Sequence, residues 1–295
     1  MKSIFRYAAL AGLGIALSLS SCKKDKEEDN TTTENLVAQD QTEASSTIED
    51  IGGTTQQMMD ENETVINGRM ATGEDTIVKT RGVDDCAVVT IIKSQKKITV
   101  DFGTTGCQGR NGRIRKGKWI INYTAHWRNP GAVVNIAFDN FAFRRPGQGD
   151  FIQVANTSTK KITTLSATNG VFEFKKEVNM ATTLPTGQTR THTGTRYVTW
   201  NTNQTLDRYD DLITLKTTST ETGTDRRGRA YSVAVIEPVL INTACWLQNF
   251  YKPVSGIVEI SKIGRTKTIN YGDGTCGGII EIDVAGKKTT VGEGE

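Results

Sequence analysis

Hydrophobic and polar residues alternate with a period of two over residues 119–128. Trp119, Ile121, Tyr123, Ala125 and Trp127 point one way, and Ile120, Asn122, Thr124, His126 and Arg128 the other. That pattern predicts a strand, and it recurs downstream of Cys86. CAVVTIIK, KKITVDF, AVVNIAF, VFEFKKEV, RTHTGTRYVTW, DLITLKTT, RAYSVAVIEP, GIVEISKI, KTINYG and GIIEIDV share it. Short turns such as Asn129-Pro130-Gly131, Asn169-Gly170 and Gly264-Arg265 separate the strands, as consecutive hairpins require. No long amphipathic helix interrupts residues 86–295, so a parallel sheet with crossover helices is not expected. The expectation is an all-β body, either an antiparallel β-sandwich or a long curled antiparallel sheet, preceded by a short helical leader.

That leader is residues 34–66. It lacks Pro, and Leu36, Val37, Ile48, Ile51, Met58, Met59 and Val65 fall loosely at helical spacing, broken at Gly52-Gly53. One or two short helices are expected, docked weakly or packed over one end of the body. Residues 67–85, rich in Gly, Thr and Asp, read as a linker, leaving 86–295 as the antiparallel β domain. ITVDFGTTGCQG and KTINYGDGTCGG echo each other, which related half-sheets or chance hairpin similarity would both explain.

The first 21 residues follow a different pattern. Lys2 and Arg6 precede an apolar run from Ala8 to Leu19, shorter than the roughly 20 residues a membrane span needs. Leu19-Ser20-Ser21-Cys22 resembles the lipobox of bacterial lipoprotein signals. The resemblance implies a signal peptide over 1–21, a mature chain starting at Cys22 and a diacylglycerol on its thiol, so that the membrane is the first expected partner. Residues 22–33 read as a charged tether. The run from Lys23 to Asn30 also resembles the export signal that sends Bacteroidota lipoproteins to the outer face of the outer membrane, with a periplasm-facing anchor as the alternative.

Charge changes the picture of the body. The net charge of +3 conceals 8 Lys/Arg against 16 Asp/Glu in residues 1–85, and 28 against 17 in residues 86–295. An acidic leader thus precedes a basic body that could attract an acidic glycan or other envelope polymer, with no specific nucleic acid expected. The cations cluster at Arg110, Arg113, Arg115 and Lys116 beside Trp119, and at Arg226, Arg227 and Arg229 before Tyr231. Guanidinium groups bind sulfate, phosphate and carboxylate in bidentate fashion, so these residues are the candidate polyanion site. A solvated hairpin tip that blunts aggregation is the plainer account, and Trp119 and Trp127 read as core.

Apart from Cys22, the cysteines are Cys86, Cys107, Cys245 and Cys276, an even number suited to disulfides in an oxidising compartment. Three pairings exist. The hairpin spacing favours Cys86 with Cys107 and Cys245 with Cys276, each closure stabilising by roughly 3 kcal/mol in the chain-entropy picture. No Cys-x-x-Cys spacing supports zinc.

Other chemistry is sparse. His126 and His192 could imitate an acid–base site with Asp139 or Asp210, but read as ordinary surface histidines. Glu237, Glu259 and Glu281 sit in strands, where carboxylates on an outer face are ordinary. Asp207 to Asp211 and Gly272-Asp273-Gly274 carry oxygen ligands without a complete calcium spacing. No nucleophile elbow, metalloprotease helix, phosphate loop or dinucleotide fingerprint occurs, so no catalytic residue, metal or cofactor is assigned.

DFGTTGC, GRNGRIRKGKWIINYT, FDNFAF, DRRGRAYSVAVIEP, TACWLQNFYKPVSGIVEI and INYGDGTCGG, in that order, resemble a family of uncharacterised Bacteroidota lipoproteins. The likeness spans residues 86–284, with a weaker match at 34–66. It implies an outer-membrane, cell-surface address and a β-rich body, and it brings no catalytic residues. The expected function is therefore a cell-envelope lipoprotein acting as a non-enzymatic binding or structural module, with a secreted glycan-active hydrolase as the competing class.

Overall fold

A computed structural model describes residues 25–67, 76–78, 86–109, 112–145, 147, 149–205, 209–248, 252–262 and 264–291. The signal peptide, Cys22 and Arg110 lie outside the described residues. The chain divides into two units, Met1–Asn35 and Leu36–Glu295. In the first, the described residues are helical.

Helix α1 runs over Asp25–Glu61 and is followed by the short α2, Glu63–Asn67. Next come β1 (Thr76–Val78), β2 (Val88–Ile92), β3 (Lys97–Asp101), β4 (Cys107–Gln108), β5 (Ile114–Tyr123), β6 (Val133–Arg144), β7 (Ile152–Val154), β8 (Thr159–Thr168) and β9 (Val171–Thr183). The order continues with β10 (Thr189–Asn201), β11 (Leu212–Leu215), β12 (Thr220–Thr224), β13 (Ala230–Asn242), β14 (Ser255–Lys262), β15 (Arg265–Asp273), β16 (Ile280–Val284) and β17 (Lys287–Val291). All belong to one 17-stranded antiparallel sheet, so the single-sheet form of the expectation holds.

Every strand pairs with a near neighbour in sequence. β3 and β4 share one edge of β5, β7 and β8 bridge β6 to β9, and β11 and β12 bridge β10 to β13. The rest is a plain meander, in which hairpin turns keep the connections short.

The period-two pattern buries one face almost continuously. Val89, Ile91, Ile98, Val100, Trp119, Ile121, Val134, Ile136, Ile162, Phe174 and Val198 are at most 2% exposed. Two bulges keep long strands on that face. At Gly117 (φ +82°) an added Cβ would lie 2.2 Å from the Asn140 carbonyl oxygen, and the register of β5 with β6 slips there. The slip moves the inward positions of β6 from Phe138 to Phe141 and Phe143; Phe141 packs with Trp119 at 5.4 Å and Phe102 at 6.0 Å, and Phe143 with Phe141 at 6.2 Å. Opposite Pro238, Gly256 (φ +104°) accommodates the corresponding irregularity between β13 and β14.

The leader departs from expectation. Gly52-Gly53 does not interrupt it, and α1 already begins at Asp25 inside the stretch read as tether. Nor does it sit at one end of the body. Ile48, Ile51, Met58 and Met59 are at most 1% exposed and belong to the same core as β2–β10. Its polar contacts reach from β5 to the turn after β12. Those strands lie five sheet spacings apart, roughly 24 Å, so α1 contacts a wide stretch of the sheet. The stretch read as linker holds the end of α2 and β1, its other residues lying outside the described ones.

The two disulfides are Cys86–Cys107, with Cα atoms 5.5 Å apart, and Cys245–Cys276, at 5.3 Å. These are the pairings the hairpin spacing favours. The first ties the start of β2 to β4, the second joins the 3₁₀ turn at Thr243–Gln248 to the loop after β15.

Candidate functional site

The inward face of the sheet is apolar at most positions, yet a row of cations occupies the same parity. On β9, Lys176 follows Phe172 and Phe174 and precedes Val178, all inward. On β8, Lys160 stands beside Ile162, and on β10, Arg190 and Arg196 share a face with Val198. Arg115 lies on β5 inward of the bulge, with Arg113 just before the strand. Each is at most 8% exposed. Burying a cation without a partner costs several kcal/mol, so this face requires anions against it.

The acidic side of α1 supplies them. Asp50 accepts both its oxygens' bonds from Arg115 Nη2 at 2.9 and 2.8 Å, and Arg113 Nη1 approaches it at 3.5 Å. Arg113 also donates to Ser46 Oγ at 2.7 Å. Glu49 takes Lys176 Nζ and Arg196 Nη1, each at 2.8 Å. Asp40, itself 1% exposed, is shared by Arg190 at 3.1 Å and Arg226 at 2.6 Å, and Glu43 takes Arg190 at 2.8 Å. Lys160 Nζ donates to the Ile48 carbonyl.

The C-terminal end of α1 is held in a second way. Trp127 Nε1 donates to the Gln56 carbonyl at 3.1 Å, and His126 Nε2 lies 3.2 Å from the Met59 carbonyl and 3.3 Å from Asp60. Arg128 forks onto Asp60 with two bonds of 3.0 Å, its guanidinium 4.6 Å above the Trp127 ring. Cationic and donor groups near the last turn complement the carbonyl end of the helix. Trp127 stacks on Trp200 at 5.1 Å.

A connected group lies against Ser45 and Glu49 of α1. Arg196 bonds both oxygens of Glu221, and His192 Nε2 lies 2.8 Å from the same carboxylate, with its Nδ1 3.1 Å from Tyr231 Oη. Burial pushes the Glu221 pKa up, but Arg196 and His192 outweigh it and hold the carboxyl at about 2. For Glu49 burial is likewise outweighed, by Lys176, Lys160 and Arg196, and its pKa falls far below the usual range. Lys160 goes the other way: burial lowers it to about 7 despite Glu49. Burial raises Tyr231 above the ordinary phenol range.

The predicted polyanion residues are thereby divided. Arg113, Arg115 and Arg226 are not at a solvated tip but are engaged by Asp50 and Asp40 of α1. Arg229 binds Asp225 at 2.6 Å, Lys116 covers the Phe151 ring at 4.4 Å, and Arg227 is exposed. The two histidines are buried, at 1% and 2% exposure, and not on the surface as expected. Their carboxylate neighbours are Asp60 and Glu221, not Asp139 or Asp210.

Other candidates stay apart. Glu237 is exposed at the β13 bulge, Glu259 accepts from Ser261, and Glu281 pairs with Lys288 at 2.7 Å. The carboxylate of Asp210 accepts from Thr205, and that of Asp273 from Thr275, so these serve turns, while Asp207 and Arg208 lie outside the described residues. No group of three or more metal-ligating side chains occurs among the described residues.

Residue types alone did not single out Lys160, Lys176, Arg190, Arg196, Glu49 and Glu221. The available signal was parity, because each strand cation falls on the face of its aromatic or branched neighbours. Comparisons with family models, with curated proteins and with solved structures return no match to this chain.

Proposed function

We propose that the chain is a lipid-anchored protein of the bacterial cell envelope, attached through Cys22 and facing the cell exterior. Its β body acts as a non-enzymatic binding or structural module, and its outlying cations contact acidic envelope polymers. The resemblance of the N-terminal residues to lipoprotein signals supports the anchor and the Bacteroidota outer-membrane address. The two disulfides fit an oxidising compartment.

One observation carries the module reading. His126, His192, Glu49 and Glu221, four groups with acid–base chemistry, are occupied in seating α1 and bracing its binding face. The polymer-contacting role then passes to the exposed Arg227 and the half-buried Lys116 and Arg229. Arg113 and Arg115 serve the interior.

Four measurements test this reading. Metabolic labelling with a fatty acid should mark the wild-type chain and not a Cys22→Ser variant, and protease shaving of intact cells should remove the body. The Cys22→Ser chain should be retained on heparin in a salt-dependent manner, and Lys116→Ala with Arg227→Ala should weaken that retention. Undiminished retention in the double variant removes the polymer role. Turnover of any member of a glycan panel removes the non-enzymatic one.

A further inference from the structure

Strand register brings cations that are far apart in the sequence to one end of the sheet. Thr224 pairs with Ala230 across the tip of β12 and β13, Tyr231 with Lys262 between β13 and β14, and Lys262 with Arg265 across the tip of β14 and β15. Lys267 pairs with Val284 and Val284 with Lys287, so the tip of β16 and β17 lies at that end too. Successive tips are two sheet spacings apart, roughly 10 Å, and the row of three spans roughly 19 Å.

Each tip turns on a glycine at positive φ, Gly228, Gly264 or Gly286, where an added Cβ would meet nothing within 4 Å. Open space therefore surrounds all three turns. Residues 225–229, 262–265 and 283–287 hold six Lys/Arg against two Asp. Both carboxylates serve their own turns. Asp225 is buried and accepts from the Arg227 and Arg229 amides, each at 2.9 Å, and from Arg229 Nε at 2.8 Å, while Asp283 accepts from the Gly286 amide at 2.8 Å. Arg226 is held by Asp40, whereas Arg227, Arg265 and Lys287 are exposed and Lys262 is half-buried. The excess charge of this rim is positive and faces solvent.

A field of that sign attracts polyanions, and the shape of the rim selects among them. The cations follow one another in a row across the strands. Among the described residues, the exposed large apolar side chains Val88, Leu165, Tyr209, Ile236, Leu247 and Ile279 all lie off these tips, which leaves the rim without a wedge for a lipid layer.

We infer that the three tips form one rim that binds a linear polyanionic glycan laid across the strands, its anionic groups meeting Arg227, Arg265 and Lys287 in turn. The inference rests on the envelope-polymer reading and adds Lys262, Arg265 and Lys287 to it.

Heparin oligosaccharides of graded length, titrated calorimetrically at several salt concentrations into the full mature chain carrying Cys22→Ser, provide the test. Affinity should rise with length until the oligosaccharide spans the row, roughly 19 Å, and then level off. Arg265→Ala and Lys287→Ala should each weaken binding and lower the slope of log affinity against log salt by about 0.7–0.9. Arg265→Lys should keep the wild-type slope, and Lys252→Ala, beside the other end of β14, should change nothing. Arg265→Gln and Lys287→Gln serve as second variants should an alanine chain fail to fold. Wild-type binding that is indifferent to the Arg265 and Lys287 variants overturns the rim and leaves polymer contact to Lys116 and Arg227. Displacement of the oligosaccharide by neutral dextran overturns it as a polyanion site. Binding to anionic phospholipid vesicles, with none to the oligosaccharides, overturns it in favour of a membrane surface. Binding to neither removes the rim and the polymer reading together.

Discussion

Asp50 is a single carboxylate that neutralises two buried guanidinium groups, Arg113 and Arg115. Removing it strands both charges in the core, so Asp50→Ala should cost about 3–5 kcal/mol. Urea unfolding checks this, and an Asp50→Ala chain that also carries Arg115→Met should recover part of the loss. The paired carboxylates also make stability depend on pH. Glu221 has a folded pKa of about 2 against 4.5 unfolded, so its contribution is complete above pH 4.5 and is lost as pH falls toward 2. Glu49 acts in the same direction. For Lys160, about 7 folded against 10.5 unfolded, the charged form is disfavoured in the native state; the penalty is full below pH 7 and is relieved as pH rises toward 10.5. Acid titration of wild type should therefore show a steep loss of stability between pH 4.5 and 2. Glu221→Gln should flatten that slope, and Lys160→Met should remove the alkaline gain.

At the level of the element, α1 explains where sequence reading succeeds and where it stops. Strands announce themselves because inward and outward positions differ in kind, and the hairpin turns fix their order; the disulfides follow from that order. The helix is buried around much of its circumference by polar as well as apolar groups, including Asp40, Gln41, Thr47 and Gln56. Its apolar stripe of Ile48, Ile51, Met58 and Met59 is therefore short and diluted, and Gly52-Gly53 looks like a break. The opposite charges of leader and body were visible, but which cation meets which carboxylate depends on residues far apart in the chain. Within α1 the two glycines differ. At Gly53 an added Cβ has nothing within 4 Å, so Gly53→Ala should raise stability by about 1 kcal/mol through helix propensity alone. At Gly52 the same carbon would meet Lys160 Nζ at 2.4 Å, and Gly52→Ala should instead be destabilising. Paired thermal melts of the two variants test the contrast.

On the scale of the whole molecule, α1 and the sheet form one cooperative structure, because neither buries its face without the other. A chain beginning after Asn67 would expose the core around Ile91, Ile121 and Phe174 and leave Arg115, Lys176 and Arg196 without their helix carboxylates. Such a truncation should aggregate, and hydrogen exchange in the full chain should show amides of Ile48–Met59 opening only with global unfolding. Reduction of the disulfides should lower stability by roughly 3 kcal/mol each. The reach of α1 across the sheet also sets an order of events. The helix is the earliest part of the described chain to be made, yet its contacts lie 63–68 residues downstream at Arg113, Arg115 and Arg128, 127 at Lys176 and 186 at Arg226. It must wait, acidic and undocked, until most of the sheet exists. Contacts so distant close slowly, which makes the last step of folding the arrival of the first segment synthesised.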